Sequence, residues 1–179
     1  MHKEVEVYCR KIKKLFSHHF FAMKVLDVGS LDINGTCRPF FHVCDYTGID
    51  LGEGSGVDVV CMCHKYNVSA NHFDTIVSVN TFEHDKYYVK SLKNICRILK
   101  HDGLFFFSCT SGDHHEHGTV KNNPNDSPFT SKINGWKDYY KNLFESDIRN
   151  AIDIDKIFKK YEFNTARGGK DLQFWGIKK

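Results

Sequence analysis

The sequence lacks a long apolar run. No stretch of its 179 residues approaches the roughly 18–20 consecutive apolar residues that a membrane-spanning helix needs. The first residues, Met1 to Glu4, are charged and lack the apolar centre of a signal peptide. We therefore expect a protein without a membrane span, located in the cytoplasm.

The sequence also lacks CxxC pairs and a strong net charge. Its seven cysteines are scattered, and the closest two, Cys61 and Cys63, lie within an expected strand. This pattern is typical of buried thiols in a reducing compartment rather than of a disulfide framework. The net charge of +3 is small and its charges are interspersed, so composition gives no reason to expect a nucleic-acid partner.

Two ligand-binding motifs are absent. A GxGxxG fingerprint would need glycines where Leu31 and Asn34 stand, so a pyrophosphate-binding loop is poorly supported. The helical spacings HxxxH and HExxH do not occur, which excludes a zinc protease of that type. We assign no metal ligands from the sequence.

Short apolar runs and helical periodicities do occur, and they alternate. Runs of this kind are typical of parallel strands buried on both faces, and we expect such strands at Lys24–Val28, Tyr46–Asp50, Val57–Met62, Thr75–Asn80 and Leu104–Cys109. Helical spacing or a short helix is expected at about 4–18, 34–42, 85–100, 139–150 and 154–161. Residues 163–177, with a Gly-Gly turn, predict a β-hairpin, and the polar segment 110–134 predicts a functional loop.

The first strand and its turn are the most informative stretch. Asp27 lies near the end of the strand, and Gly29 and small polar residues follow it. Such a turn lets backbone N–H groups approach a ligand closely. The second strand ends in Asp50, a position from which a carboxylate binds ribose hydroxyls in nucleotide-binding α/β folds. We expect an adenosine-containing cofactor across the carboxyl ends of the strands.

Three motifs resemble the class I S-adenosylmethionine-dependent methyltransferases. Residues 27–38 read Asp-x-Gly-Ser-x-Asp-x-Asn-Gly-x-x-Arg, similar to a variant of the first motif of that superfamily. Residues 73–84 resemble the fourth strand and its Glu-His turn, and residues 97–103 resemble Arg-x-Leu-Lys-x-Gly-Gly with one glycine missing. Leu31 and Ile33 replace two glycines of the usual first motif.

The resemblance implies a fold and a domain organisation. The expected fold is a Rossmann-like three-layer α/β sandwich, with a mostly parallel seven-stranded sheet and an antiparallel C-terminal hairpin. We expect one domain over residues 1–179. It would have an N-terminal helix within 1–20 and a loop and helix insertion on the acceptor side at 110–150.

The resemblance also implies S-adenosyl-L-methionine as cofactor and a set of residues that bind it. Where the family often has an aspartate that contacts adenine, this sequence has Met62, so the backbone near Met62 and Cys63 is the expected contact. The expected cofactor-binding residues are Asp27, Gly29, Ser30, Leu31, Gly35, Arg38, Asp50, Leu51, Met62, Cys63, Asn80 and Thr81.

The segment 112–119 is a second candidate site. Its Glu116-His117-Gly118-Thr119, with the aromatic residues near Trp136, is similar to small glycan-modifying methyltransferases. That similarity implies O-methylation of a sugar hydroxyl in a glycan or sugar nucleotide, with His84, His115 or His117 as the base.

Alternatives remain open for both candidate sites. The histidine-rich loop could instead be a solvated loop or, less favoured because adjacent loop residues rarely converge, bind a divalent metal. Glu83 could instead cap the next helix while His84 packs. The acceptor could be another small molecule or a protein side chain, or the chain could be a non-catalytic binding protein of the same fold. No Asn-Pro-Pro-Tyr or Lys-Asp-Lys-Glu pattern indicates a nucleic-acid acceptor.

Overall fold

A computed structural model describes residues 3–179, which form one seven-stranded sheet. The strands are β1 (Lys24–Val28), β2 (Asp45–Asp50), β3 (Val59–Val60), β4 (Phe73–Val79), β5 (Leu99–Thr110), β6 (Phe158–Ala166) and β7 (Asp171–Lys178). Their order across the sheet is β3-β2-β1-β4-β5-β7-β6. The first five are parallel, and β7 runs antiparallel to both β5 and β6. The predicted sheet with its C-terminal hairpin is confirmed.

Helices cover both faces of the sheet. They are α1 (Lys3–Leu15), α2 (Tyr88–Ile98), α3 (Glu145–Ala151) and α4 (Ile154–Ile157). The side chains of β5 alternate between the faces, so Phe106 joins a core with α1, whereas Phe105 and Phe107 join a core with α2 and α3. The predicted three-layer arrangement follows from these two cores.

Four expected elements differ from the structure. The helix expected at about 154–161 ends at Ile157, because the chain from Phe158 onward extends as β6 and pairs with β7. Residues 34–42 contain only a 3₁₀ turn, Arg38–Phe40, because Phe40 and Phe41 pack against α1 and Phe20 rather than along a helix face. The third strand is reduced to β3, and Val59 and Val60 are exposed because they form the edge of the sheet rather than its interior. The periodicity at 139–150 yields α3 only from Glu145, because residues 139–144 are irregular chain in which the N–H groups of Lys141 and Leu143 donate to the carbonyl oxygens of Glu83 and Thr110.

Within residues 3–179, the structure contains no helix of the length and apolar character that crossing a bilayer would require.

The packing of the apolar face of α1 against the sheet can be tested by substitution. Ile12 is fully buried against the sheet, whereas Leu15 on the same helix is 53% exposed. We expect Ile12→Ala to lower the free energy of unfolding by about 2–5 kcal/mol, because it leaves a cavity. Leu15→Ala should change it by no more than about 0.5 kcal/mol. Urea unfolding of both variants measures the difference, and equal effects would contradict the packing of α1 described here.

Candidate active site

The carboxyl ends of β1, β2 and β4 meet at one cleft of about 400 Å³. Strands that run in the same direction place these ends at the same edge of the sheet, where α/β folds bind their ligands. The segment that follows β5 closes the other side of the cleft through His117, Phe129 and Trp136. The cleft therefore has a sheet-edge side and a loop side.

The turn after β1 is held against its neighbours by its backbone. The N–H groups of Gly29 and Ser30 donate to the carbonyl oxygen of Ile49 at 2.9 and 3.2 Å. Gly29 has a φ of +80°, and a Cβ built on it would lie 2.0 Å from Oγ1 of Thr81. Only glycine fits this conformation and this close approach.

Asp50 stands at the end of β2 and is fixed by two backbone donors. Its carboxylate accepts hydrogen bonds from the N–H groups of Leu31, at 3.0 Å, and Leu51, at 2.7 Å. Burial raises the pKa of Asp50, and the two N–H groups oppose that rise. The carboxylate is thus oriented at the rim of the cleft, beside the turn after β1.

Asp27 lies deeper and is 3% exposed. One carboxylate oxygen accepts a hydrogen bond from the Tyr46 hydroxyl at 2.6 Å, and the other has no partner among residues 3–179. Burial raises the pKa of Asp27 to about 6, although the bond from Tyr46 lowers it. A buried oxygen without a partner in the wall of a cleft indicates a polar or cationic ligand group. Together, the carboxylates of Asp50 at the rim and Asp27 deeper in the cleft fit an adenosine ligand that carries a cationic amino acid end.

The structure brings most of the expected cofactor residues together. The wall of the cleft includes Asp27, Gly29, Ser30, Leu31, Gly35, Asp50, Leu51, Met62, Cys63, Asn80 and Thr81. Arg38 instead lies over the ring of Tyr46 and donates to Asp58 at 2.5 Å. Its place is behind the cleft wall, where it supports Tyr46, the partner of Asp27.

Two of the three expected catalytic histidines meet on the loop side. The ring centroids of His84 and His117 lie 4.9 Å apart, with an angle of 87° between the ring planes. One ring nitrogen of each histidine and one carboxylate oxygen of Glu83 all lie within 4.8 Å of one another. Gly118 allows this contact, because a Cβ at its position would lie 2.6 Å from the ring of His84. His115 also lines the cleft but is exposed at its mouth.

The burial of Glu83 and His84 dominates their electrostatics. Desolvation raises the pKa of Glu83 to about 8, and the backbone N–H groups of Glu83 and Thr110 offset only part of that rise. Desolvation also lowers the pKa of His84 to about 3. Glu83 does not cap α2, which begins after Tyr87, so the capping alternative for this residue is wrong.

Sequence reasoning missed the part that Glu83 plays, and it also missed Asp85, Phe129 and Arg167 in the wall of the cleft. The Glu-His pair after β4 was visible, but nothing in the sequence indicates that Glu83 points toward His117. Asp85 could have been found from the sequence, because it lies just before α2, where its carboxylate accepts a hydrogen bond from the N–H of Tyr87 at 2.7 Å.

A profile of the methyltransferase domain family matches residues 1–164. The chain belongs to the methyltransferase domain family. This membership confirms the predictions of a methyltransferase and of S-adenosyl-L-methionine as its cofactor. No curated protein matches the methyltransferase chain at a significant level.

Solved structures share the fold of this methyltransferase at low sequence identity. The Burkholderia thailandensis 1,6-didemethyltoxoflavin-N1-methyltransferase, with its substrate and S-adenosylhomocysteine, is 17% identical over 95% of this chain and 77% of its own, with a TM-score of 0.64. The Haemonchus contortus phosphoethanolamine N-methyltransferase 2, with S-adenosyl-L-methionine, is 15% identical over 96% and 52%, with a TM-score of 0.64. A methyltransferase from Aquifex aeolicus is 14% identical over 96% and 89%, with a TM-score of 0.62.

Gly29 provides a test of the turn after β1. We expect Gly29→Ala to abolish cofactor binding measured by calorimetry, because the added Cβ would displace Thr81. Gly168→Ala is the matched control, since Gly168 has a φ of +66° but no atom within 4 Å of a built Cβ. Both variants carry the backbone strain of about 1–2 kcal/mol, and only the first also carries the clash. Normal binding by Gly29→Ala would refute the close approach.

The buried carboxyl group of Asp27 makes the stability of the protein without cofactor depend on pH, and its raised pKa fixes the sign of that dependence. Its folded pKa of about 6 lies above the ordinary value of 3.8, so its contribution to stability is present below about pH 4 and lost as the pH rises through 6. Between pH 4 and pH 7, the stability of Asp27→Asn relative to wild type should rise by about 2–3 kcal/mol. Urea unfolding at both pH values measures this change. Asp45→Asn, an exposed change at the other end of β2, is the surface control that the effect of Asp27→Asn should exceed.

Proposed function

We propose that the chain transfers a methyl group from S-adenosyl-L-methionine to a sugar hydroxyl of a glycan or sugar nucleotide. The observation that carries this proposal is the group of Glu83, His84 and His117 at the loop side of the cleft. A sugar hydroxyl is a weak nucleophile until its proton is removed, whereas a neutral amine attacks through its electron pair without further activation. A cleft with a built group for activating its acceptor therefore favours oxygen over nitrogen.

The chain's own residues divide the work between the two sides of the cleft. When bound, the sulfonium would supply a methyl carbon to the acceptor oxygen, with the electrons of the broken carbon–sulfur bond going to sulfur and the acceptor's proton passing to water or an imidazole at the loop side of the cleft. We propose that Asp50 orients the ribose and that Asp27 and the turn after β1 orient the methionine end. Alignment of this kind supplies up to about 7–11 kcal/mol in favourable cases.

The acceptor hydroxyl is placed at His84 and His117 rather than at His115. Both line the cleft, where His84 is 5% exposed and His117 is half-buried. His115 lies at the mouth, where solvent would compete with an acceptor. The aromatic ring of Trp136, 6% exposed and 5.5 Å from Tyr87, supports a sugar acceptor because an aromatic face combines apolar area with orientation.

The cofactor end has its own test in Asp50. We expect Asp50→Asn to weaken binding of S-adenosyl-L-methionine by roughly 10–100-fold, the value of one or two hydrogen bonds to a charged group. Asp45→Asn, on the same strand but at its far end, should bind as wild type does. Calorimetry on the two variants gives the comparison, and equal affinities would remove Asp50 from the cofactor site.

The acceptor class is tested with labelled cofactor. We expect label to enter sugar nucleotides or oligosaccharides as an ether that resists mild base, and His117→Ala to reduce turnover by about 10²–10⁴-fold while cofactor affinity stays within a few-fold. A panel of amines, heterocycles and peptides is run beside the sugars. Label in one of those classes alone would overturn the sugar proposal, and no label in any class would favour a non-catalytic binding protein.

A further inference from the structure

Three buried polar atoms at the loop side of the cleft lack hydrogen-bonding partners. They are both carboxylate oxygens of Glu83 and Nδ1 of His84, and within residues 3–179 no group reaches them with full hydrogen-bond geometry. The N–H groups of Glu83 and Thr110 lie near the Glu83 carboxyl and only partly offset its burial. Glu83 is fully buried and His84 is 5% exposed. Leaving one such atom unsatisfied costs about 1–3 kcal/mol, and more when the group is charged. Native structures rarely gather three of them without a ligand.

The side chains around Glu83 do not supply the missing counter-charge. The cation that acts on Glu83 is Arg167, and its guanidinium is already paired with both carboxylate oxygens of Asp171, at 2.7 and 2.5 Å. Lys141 contacts Glu83 only through its backbone N–H, which donates to the carbonyl oxygen, while its ammonium donates to Asp147 at 2.6 Å. The remaining partner for this carboxyl group is a proton or a cation from solution.

The three side chains converge on one point. One ligand atom from each of Glu83, His84 and His117 lies within 4.8 Å of the other two. Metal–ligand distances of about 2.0–2.2 Å would place tetrahedral ligand atoms about 3.4 Å apart, so small side-chain rotations complete the site. His117 stands on the loop that closes the cleft, and its Nδ1 lies 3.2 Å from the carbonyl oxygen of His115. A backbone contact of this kind orients a ligating imidazole through its other nitrogen.

We propose that Glu83, His84 and His117 bind one divalent transition metal of the Zn²⁺ class, which holds the acceptor hydroxyl at the loop side of the cleft. Two imidazole nitrogens and one carboxylate are one of the ligand sets found in catalytic zinc sites, which keep a further position open for water or substrate. Mg²⁺ is a poorer match, because it prefers oxygen ligands in an octahedral arrangement. The cleft borders His84 and His117, so the open position faces the acceptor.

This inference deepens the proposed function, because a metal lowers the pKa of a bound hydroxyl in the same way as that of bound water. The metal site itself is independent of which acceptor is methylated.

The test measures metal binding without any acceptor. The chain is dialysed against chelator and titrated with ZnCl₂, and separately with MgCl₂, by calorimetry. We expect one Zn²⁺ per chain and at least about 100-fold weaker binding in Glu83→Gln, since loss of a group that only supports a ligand already costs about 10–100-fold. Glu83→Gln keeps the size of the side chain. Its fold is checked by circular dichroism and by its affinity for S-adenosyl-L-methionine.

A second pair of variants separates this site from a loop site. His114→Ala removes a ring 5.2 Å from that of His117 but outside the proposed ligand set, so it should bind Zn²⁺ as wild type does. Retained binding in Glu83→Gln with loss in His114→Ala would overturn the proposal in favour of the histidine-rich loop alone. No Zn²⁺ binding by the wild type would overturn it outright.

The outcomes also separate this proposal from the proposed function. Sugar methylation that survives chelation, by a chain that binds no Zn²⁺, would refute the metal site and leave the function standing. One Zn²⁺ held by Glu83, His84 and His117, without label in any sugar, would refute the sugar acceptor and leave the metal site standing.

Discussion

The contact between Gly29 and Thr81 is the constraint on which the cleft depends. Because Gly29 has no side chain, the hydroxyl of Thr81 reaches the carbonyl oxygen of Val28 at 3.2 Å and joins the carboxyl ends of β1 and β4. The N–H of Gly29 joins the same turn to β2 through Ile49. Three strand ends are thereby fixed as one edge, and the positions of Asp50 and Asn80 follow from it.

The cleft beside that edge contains groups that oppose folding. The carboxyl groups of Asp27 and Glu83 are buried with fewer partners than a stable core would provide. The aromatic core on both faces of β5, including Phe105, Phe106 and Phe107, stabilises the chain enough to tolerate them. Ionisable groups with strongly shifted pKa values concentrate at functional sites for this reason, since their cost in stability is accepted where binding or chemistry needs them.

Features decided by neighbours along the chain were predictable, and features decided by distant segments were not. The apolar run of β4 and the turn signal at Gly29 are local, so both were found from the sequence. The edge position of β3 depends on which strands pair, and its short apolar run carries no sign of that exposure. The meeting of Glu83 with His117 was invisible for the same reason, because it arises only when the segment after β5 folds back over the turn after β4.

The segment 112–118 contains no aliphatic or aromatic hydrocarbon side chain. It is held mainly by polar contacts, among them those from the amide of Asn142 to the carbonyl oxygens of Gly112 and His114 at 3.2 and 2.8 Å. Each such hydrogen bond contributes about 0.5–1.5 kcal/mol, far less than the burial that holds the sheet. Excursions of this segment away from the cleft are therefore much more frequent than global unfolding, and they provide a route for ligand exchange that leaves the strands intact.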